Sequence, residues 1–144
     1  MQPVKRRPAG LIELGELFRV HRGQVTGMNS VWIAGPEAHD IPARFLFPTI
    51  TPARDILGVS GELEAFDSLR CVVDLPVDLD EMTAAERRQV DRFLKWAKRE
   101  GAHESYIAKT RRAWWAVGLR APPPILCTYM ARRAPAFIRN KAGA

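Results

Sequence analysis

Only one stretch of this chain reads as a long regular element, and the rest must be arranged around it. Thr83 followed three residues later by Glu86 is a capping box, in which each side chain satisfies the other's backbone amide at a helix start. Val90, Phe93, Leu94 and Ala97 then recur at i, i+3, i+4 and i+7, which places them on one helical face. Lys95, Lys98 and Arg99 in the closing turns complement the helix dipole, and Gly101 is a natural stop. A helix is therefore predicted over about 83–100, its basic residues forming a solvated outer face and Trp96 half-buried against the core. Elsewhere, eleven prolines and ten glycines punctuate the 144 residues, which demands turns and short elements and argues against a helix bundle.

The short elements can be placed by composition. Leu17–Arg22 and Ser30–Ala34 read as two strands joined through Gly23–Gly27. Pro36–Pro42 is a loop, Arg44–Ile50 another strand, and Thr51-Pro52 suits the start of a helical turn. Leu69–Leu75, with Cys71, Val72 and Val73 inside it, is the most convincing buried strand, and Asp78–Met82 is an acidic turn before the helix. Ala113–Leu119, Ile125–Met130 and Ala136–Arg139 are strand-like, with Pro122–Pro124 marking a connection. The expected class is α+β: short, mostly antiparallel strands with one well-formed helix packed against them. A single domain is expected over 14–144, after a basic extension over 1–13 that carries Lys5, Arg6 and Arg7.

Charge is distributed very unevenly. The segment Ser105–Ala144 holds eight Lys or Arg and no Asp or Glu, while the first 104 residues hold 14 basic and 16 acidic side chains. The whole net charge of +6 thus comes from the C-terminal segment, interleaved there with Tyr106, Trp114, Trp115, Tyr129 and Phe137. Such a field implies a polyanion-binding surface, with nucleic acid the leading candidate. With no acid nearby in sequence, these arginines are not expected to be tied up in salt bridges.

Catalytic chemistry finds no foothold. His21, His39 and His103 are isolated, and the carboxylates cluster in the acidic turn and on the helix. Gly58-Val59-Ser60-Gly61 lacks the Lys-Ser/Thr of a phosphate loop, and no strand–GxGxxG–helix unit is present. Cys71 and Cys127 have no metal-like spacing and no disulfide framework around them, so both are expected as small apolar residues of buried strands in a reducing compartment. No stretch approaches the roughly 20 apolar residues of a membrane span, and no apolar run follows Lys5–Arg7 to make a secretory leader. A soluble, cytoplasmic chain with no self-sufficient active site, bound cofactor or metal is expected.

Two segments stand out as binding elements. In Arg22-Gly23-Gln24-Val25-Thr26-Gly27-Met28-Asn29 the glycines permit a tight loop, from which Arg22, Thr26 and Asn29 can reach phosphates or base edges. The second begins at Arg111-Arg112-Ala113-Trp114-Trp115 and continues through Thr128–Arg133 to Arg139-Asn140-Lys141. Arginine offers a planar fork to guanine or phosphate, and asparagine pairs bidentately with adenine. In a strand Trp114 and Trp115 would face opposite sides, leaving one of them exposed.

Together these stretches resemble the target-recognition region of N6-adenine DNA methyltransferases, including enzymes that fuse modification with restriction. The family's Arg-Gly-x-x-Thr-Gly-x-Asn loop is matched by Arg22–Asn29, with Trp32 as the aromatic that follows. Its Arg-x-x-Trp-[Trp/Tyr] element is matched by Arg111–Trp115, and its Pro-rich link to an apolar strand ending in Tyr-Met by Pro122–Pro124 and Ile125–Met130. The closing Arg-x-Pro-x-x-x-x-Asn-x-[Ala/Gly]-Gly is matched by Arg133–Gly143. The order is kept over about Leu14–Gly143. The family's catalytic domain, with its cofactor loop and its Asn/Asp-Pro-Pro-Tyr/Phe motif, has no counterpart; Ala121-Pro122-Pro123-Pro124 lacks both the amide and the aromatic.

The resemblance implies the recognition half of such an enzyme, whether an excised domain, a separate subunit or a remnant. Double-stranded DNA and a methyltransferase catalytic domain or subunit are the implied partners, with S-adenosylmethionine on that catalytic part. The implied DNA contacts are Arg22, Gly23, Thr26, Gly27, Asn29, Arg111, Arg112, Trp115, Arg132, Arg133, Asn140 and Lys141. The rival reading is an RNA-binding or protein-interaction module using the same basic surface.

Overall fold

In a computed structural model, which describes residues 8–57, 59, 61–65, 67–128 and 134–144, the chain starts with a single helical turn, α1 (Leu14–Leu17), and an extended stretch to Met28. Next come α2 (Asn29–Trp32), β1 (Leu46–Thr49), α3 (Arg54–Leu57), β2 (Glu62–Leu63) and β3 (Arg70–Val73). The long helix α4 (Ala84–Arg99), the turn α5 (Tyr106–Lys109), β4 (Ile125–Cys127) and β5 (Phe137–Asn140) complete the order. The class is α+β, as expected. Of the described residues, no helix is long and apolar enough to cross a membrane.

Helix α4 forms for the reasons its sequence gives. The Thr83 hydroxyl accepts from the Glu86 amide at 3.3 Å, and the Thr83 amide donates to Glu86 Oε2 at 3.0 Å. Val90, Phe93, Leu94 and Ala97 are buried, and Gly101 ends the helix with φ +82°. Burial is worth on the order of 1.5–3 kcal/mol for each larger apolar side chain. An exposed pair such as Arg87–Asp91 adds only a few tenths. The inner face therefore decides where the helix sits.

That face covers a small sheet. β3 pairs antiparallel with β1 from Leu46↔Val73 to Thr49↔Arg70, and its other side meets Ile33 through an isolated bridge to Val72. Pro48 is tolerated in β1 because that strand is an edge. Val31, Trp32, Phe45, Val72, Val73 and Leu75 fill the space beneath α4. A second, smaller core of Ile56, Leu63 and Ile138 lies under a three-stranded sheet ordered β2-β5-β4. There β5 runs antiparallel to β4 and parallel to β2.

Three expected strands are absent, each for an identifiable reason. Residues 17–22 leave α1 as extended chain with no backbone partner strand. Ser30–Ala34 is mostly the helical turn α2, because a turn buries neighbours Val31 and Trp32 together whereas a strand would point them to opposite faces. Ala113–Leu119 is a turn, closed by Ala116 N–H to Ala113 C=O at 3.0 Å, followed by a segment held by a side chain. The Asp74 carboxylate accepts from the amides of Gly118 at 2.8 Å and Leu119 at 2.9 Å, replacing a strand ladder. Cys71 is half-buried in β3 as a small apolar residue should be, but Cys127 faces outward from β4.

Candidate nucleic-acid interface

The two motifs that stood out in the sequence meet. Residues 21–26 and 111–120 run in opposite directions alongside one another, joined by side chains instead of a ladder. Arg120 Nη1 lies 3.4 Å from His21 Nδ1, Gln24 Nε2 donates to the Val117 carbonyl at 3.4 Å, and Arg111 reaches the loop at Val25 and Thr26.

Arg111 is the hinge-pin of this arrangement. Its Nη2 donates to the carbonyl oxygens of Val25 at 3.2 Å and Thr26 at 2.9 Å, and its Nη1 to Trp114 C=O at 3.5 Å. The guanidinium carbon lies 6.0 Å from the ring centroid of buried Trp32. Burial lowers its pKa, with Asp74 acting in the opposite sense, yet an arginine keeps its charge under any physiological condition. With three carbonyls on the fork, this side chain holds the Arg22–Asn29 loop in shape.

The loop itself is tightly built. Thr26 is buried, and its hydroxyl donates to Asn29 Oδ1 at 2.5 Å. Gly27 has φ +82°, and a Cβ there would stand 2.9 Å from Ser105 Oγ and 3.1 Å from Ile107 Cβ. The loop therefore touches the start of α5, where Ser105 Oγ accepts from the Ala108 amide at 3.2 Å. Gly23 meets nothing within 4 Å.

Trp114 and Trp115 are both half-buried. Trp114 packs edge-on against Trp32 at 6.2 Å, His103 at 5.8 Å and Trp115 at 5.8 Å. Trp115 donates its indole N–H to the Pro76 carbonyl at 3.0 Å. Neither ring stands clear as a stacking platform. Arg22 and Arg112 are exposed and carry no hydrogen bond or ion pair among the described residues, and Asn29 is exposed beside them.

The C-terminal motif lies elsewhere. Asn140, at the end of β5, donates to the carbonyls of Pro123 at 3.0 Å and Ala144 at 2.7 Å, and accepts from the amides of Gly143 and Ala144. Its amide is fully used in closing the chain's last turn. Lys141 pairs with Glu62 and lies 3.6 Å from Glu64, while Arg139 lies 3.5 Å from Glu62. The Lys141 hydrogen bond and charge, then Arg139, hold the Glu62 carboxyl below its ordinary range, and Glu62 in turn raises the Lys141 ammonium. The expectation that no acid neutralises these cations is thus corrected: parallel pairing of β2 with β5 brings carboxylates from far away in sequence. Arg132 and Arg133 lie outside the described residues.

One set of cations was set aside in the sequence and is exposed in the fold. Arg88, Arg92, Lys95 and Arg99 line the outer face of α4 at i, i+4, i+7 and i+11. Arg92 lies 3.4 Å from Asp40; the other three have no ion-pair partner among the described residues. Their spacing opposite the apolar face is the signal that marks them.

The connection from β3 to the long helix, Asp74–Thr83, contains no glycine, and a depression of about 530 Å³ beside β2 is lined by Asp55, Glu62 and Glu64 among others. Neither offers the glycine loop between strand and helix that cradles a nucleotide cofactor's phosphates.

Residues 4–144 match the family model described as the C-terminal domain of the Type II methyltransferase M.Eco57I. The chain belongs to that family. It is 56% identical over 144 residues, its whole length, to the Type II methyltransferase M.XamI of Xanthomonas campestris pv. amaranthicola, covering 27% of that protein. It is 23% identical over 135 residues to the Type II methyltransferase M.AccI of Acinetobacter calcoaceticus, covering 92% of this chain and 25% of the relative. This M.Eco57I-type domain thus spans about a quarter of the length of the relatives it matches. No solved structure matches it. The resemblance to the C-terminal region of a DNA methyltransferase is borne out at the level of the family: a Type II methyltransferase C-terminal domain.

Proposed function

We propose that this domain selects the target site on duplex DNA for an adenine-specific Type II methyltransferase. The catalytic part of such an enzyme binds S-adenosylmethionine, flips the adenine and transfers the methyl group. The domain's own task is to hold the duplex and read it.

The observation that carries this reading is the joined pair of segments. Arg111 and Gly27 spend themselves on rigidity, while neighbours Arg22 and Arg112 project with no partner among the described residues, and Asn29, whose Oδ1 accepts from Thr26, keeps its amide NH2 without a partner among them. Rigid backbone with free cations and an amide at its edge suits phosphate anchoring and base reading.

Fluorescence anisotropy of a mixed-sequence duplex, titrated across a salt series, tests it. The slope of log affinity against log salt is expected to correspond to several phosphate contacts, at about 0.9 per contact. A second reading has one observation behind it: Tyr106 is 80% exposed one helical turn before Lys109, an aromatic beside a cation of the kind single strands stack on. Tighter binding of matched single-stranded DNA or RNA would favour that reading, and equal binding of any polyanion would sink both.

A further inference from the structure

Leu11, Ile12, Leu14, Leu17, Phe18, Val20 and Val25 are each between 40% and 66% exposed. The turn α1 buries none of its residues. Other exposed large apolar side chains, such as Phe47, Val77 and Ile125, are dispersed along the sequence. Singly scattered exposed apolar residues are ordinary, whereas a concentration of them on one exposed segment is the material of an interaction site.

We infer that this N-terminal arm, Leu11–His21, is the surface on which the catalytic part of the methyltransferase docks. The inference rests on the reading that such a part works with this domain. Its support is independent of DNA. The matched region occupies 27% of M.XamI, and the family is described as a C-terminal domain. In such relatives most of the remaining chain precedes this region, so the segment corresponding to the arm is the part nearest to it in sequence. Exposed apolar side chains there need a cover, and the remainder of the relative's chain is the nearest body able to supply one.

The arm also has a consequence for recognition. It runs without a break into the Arg22–Asn29 loop, and the junction is already tied to 111–120 through His21, Gln24 and Val25. A catalytic part seated on Leu17, Phe18 and Val20 is thereby set in a fixed position relative to the loop that reads the site. Docking and recognition share one continuous piece of backbone.

The test measures accessibility and does not depend on activity. Leu17→Cys and Val20→Cys are made separately in a Cys127→Ser background, with Tyr106→Cys as an exposed control. Each is placed in the isolated 144-residue chain and in M.XamI carrying this chain in place of its matching region. Maleimide labelling is followed peptide by peptide by mass spectrometry. Labelling at positions 17 and 20 is expected to slow at least tenfold in the joined protein while position 106 reacts equally in both. Equal reactivity at 17 and 20 in both settings overturns the inference. Slowing that appears in the isolated chain as its concentration rises assigns the arm to a second copy, and also overturns it. Failure of the isolated chain to bind DNA would count against the recognition reading while leaving this protection in place.

Discussion

Arg111 donates to the carbonyl oxygen of Thr26 at 2.9 Å across 85 residues of chain. This contact joins two segments that the sequence shows only as separate motifs, and it divides adjacent arginines into two kinds. Arg111 faces inward onto carbonyls, and Arg112 faces outward with no partner among the described residues.

The two should therefore respond differently to removal. Arg111→Ala strands part-buried carbonyls and uncovers Trp32, so a loss of about 2 kcal/mol is expected in urea denaturation. Arg112→Ala should leave stability within about 0.5 kcal/mol and lower the salt slope of DNA binding by about one. A large stability loss with Arg112→Ala would place that side chain in the fold and remove it from the interface.

Gly27 allows a paired comparison of the same kind. An alanine there must adopt φ +82° and push a methyl to 2.9 Å from Ser105 Oγ. Left-handed backbone costs about 1–2 kcal/mol and overpacking about 1–3. Gly27→Ala is therefore expected to lower stability by on the order of 2–4 kcal/mol, while Gly23→Ala, which meets open space, should change the thermal midpoint little. Similar shifts for both would mean that the loop is not seated against α5.

How far these relations are legible in sequence depends on range. Helix α4 is fully legible, since its cap, apolar face and terminal glycine lie within twenty residues or so and are all local chemistry. The strand around Val72 and Val73 is legible from its apolar run. Residues 30–34 and 113–119 mislead because their strand-forming side chains are claimed by distant partners: Trp32 by the core beneath α4, and the amides after Val117 by the Asp74 carboxylate. The binding motifs are recognisable by resemblance, but the pin between them is a tertiary contact with no local signal. The same holds for Glu62 and Lys141, 79 residues apart and neighbours only through the β2–β5 pairing.

Trp32 tests the centre of the larger core. It is fully buried, its ring centroid lies 6.0 Å from that of Phe93 and 6.2 Å from that of Trp114, and its indole N–H has no acceptor among the described residues. Trp32→Ala is expected to cost about 3–5 kcal/mol. Trp32→Phe should cost clearly less than half of that, because it keeps most of the packing and removes a buried donor with no partner. Equal losses from the two, measured in urea, would mean that the N–H finds an acceptor in solution.

The Glu62–Lys141 pair makes a signed statement about pH. The Glu62 carboxyl is held below its ordinary value of 4.5, so its contribution is present above that value and is lost as pH falls through the lower, folded-state value. The Lys141 ammonium is raised above 10.5, so its contribution is complete below that value and disappears as pH rises through the higher one. Between those limits the pair adds a constant, small stabilisation, because both groups face solvent. Glu62→Gln is expected to flatten the stability profile on the acid side below about pH 4.5 and to leave the neutral region nearly unchanged. The same substitution frees Arg139 from its carboxylate and leaves Lys141 with Glu64 at 3.6 Å, which raises the net positive charge at the end of β5. If that end of the domain lies along the duplex, Glu62→Gln should tighten DNA binding and steepen its salt slope; an unchanged slope would place the contact surface on the Arg22 and Arg112 side alone.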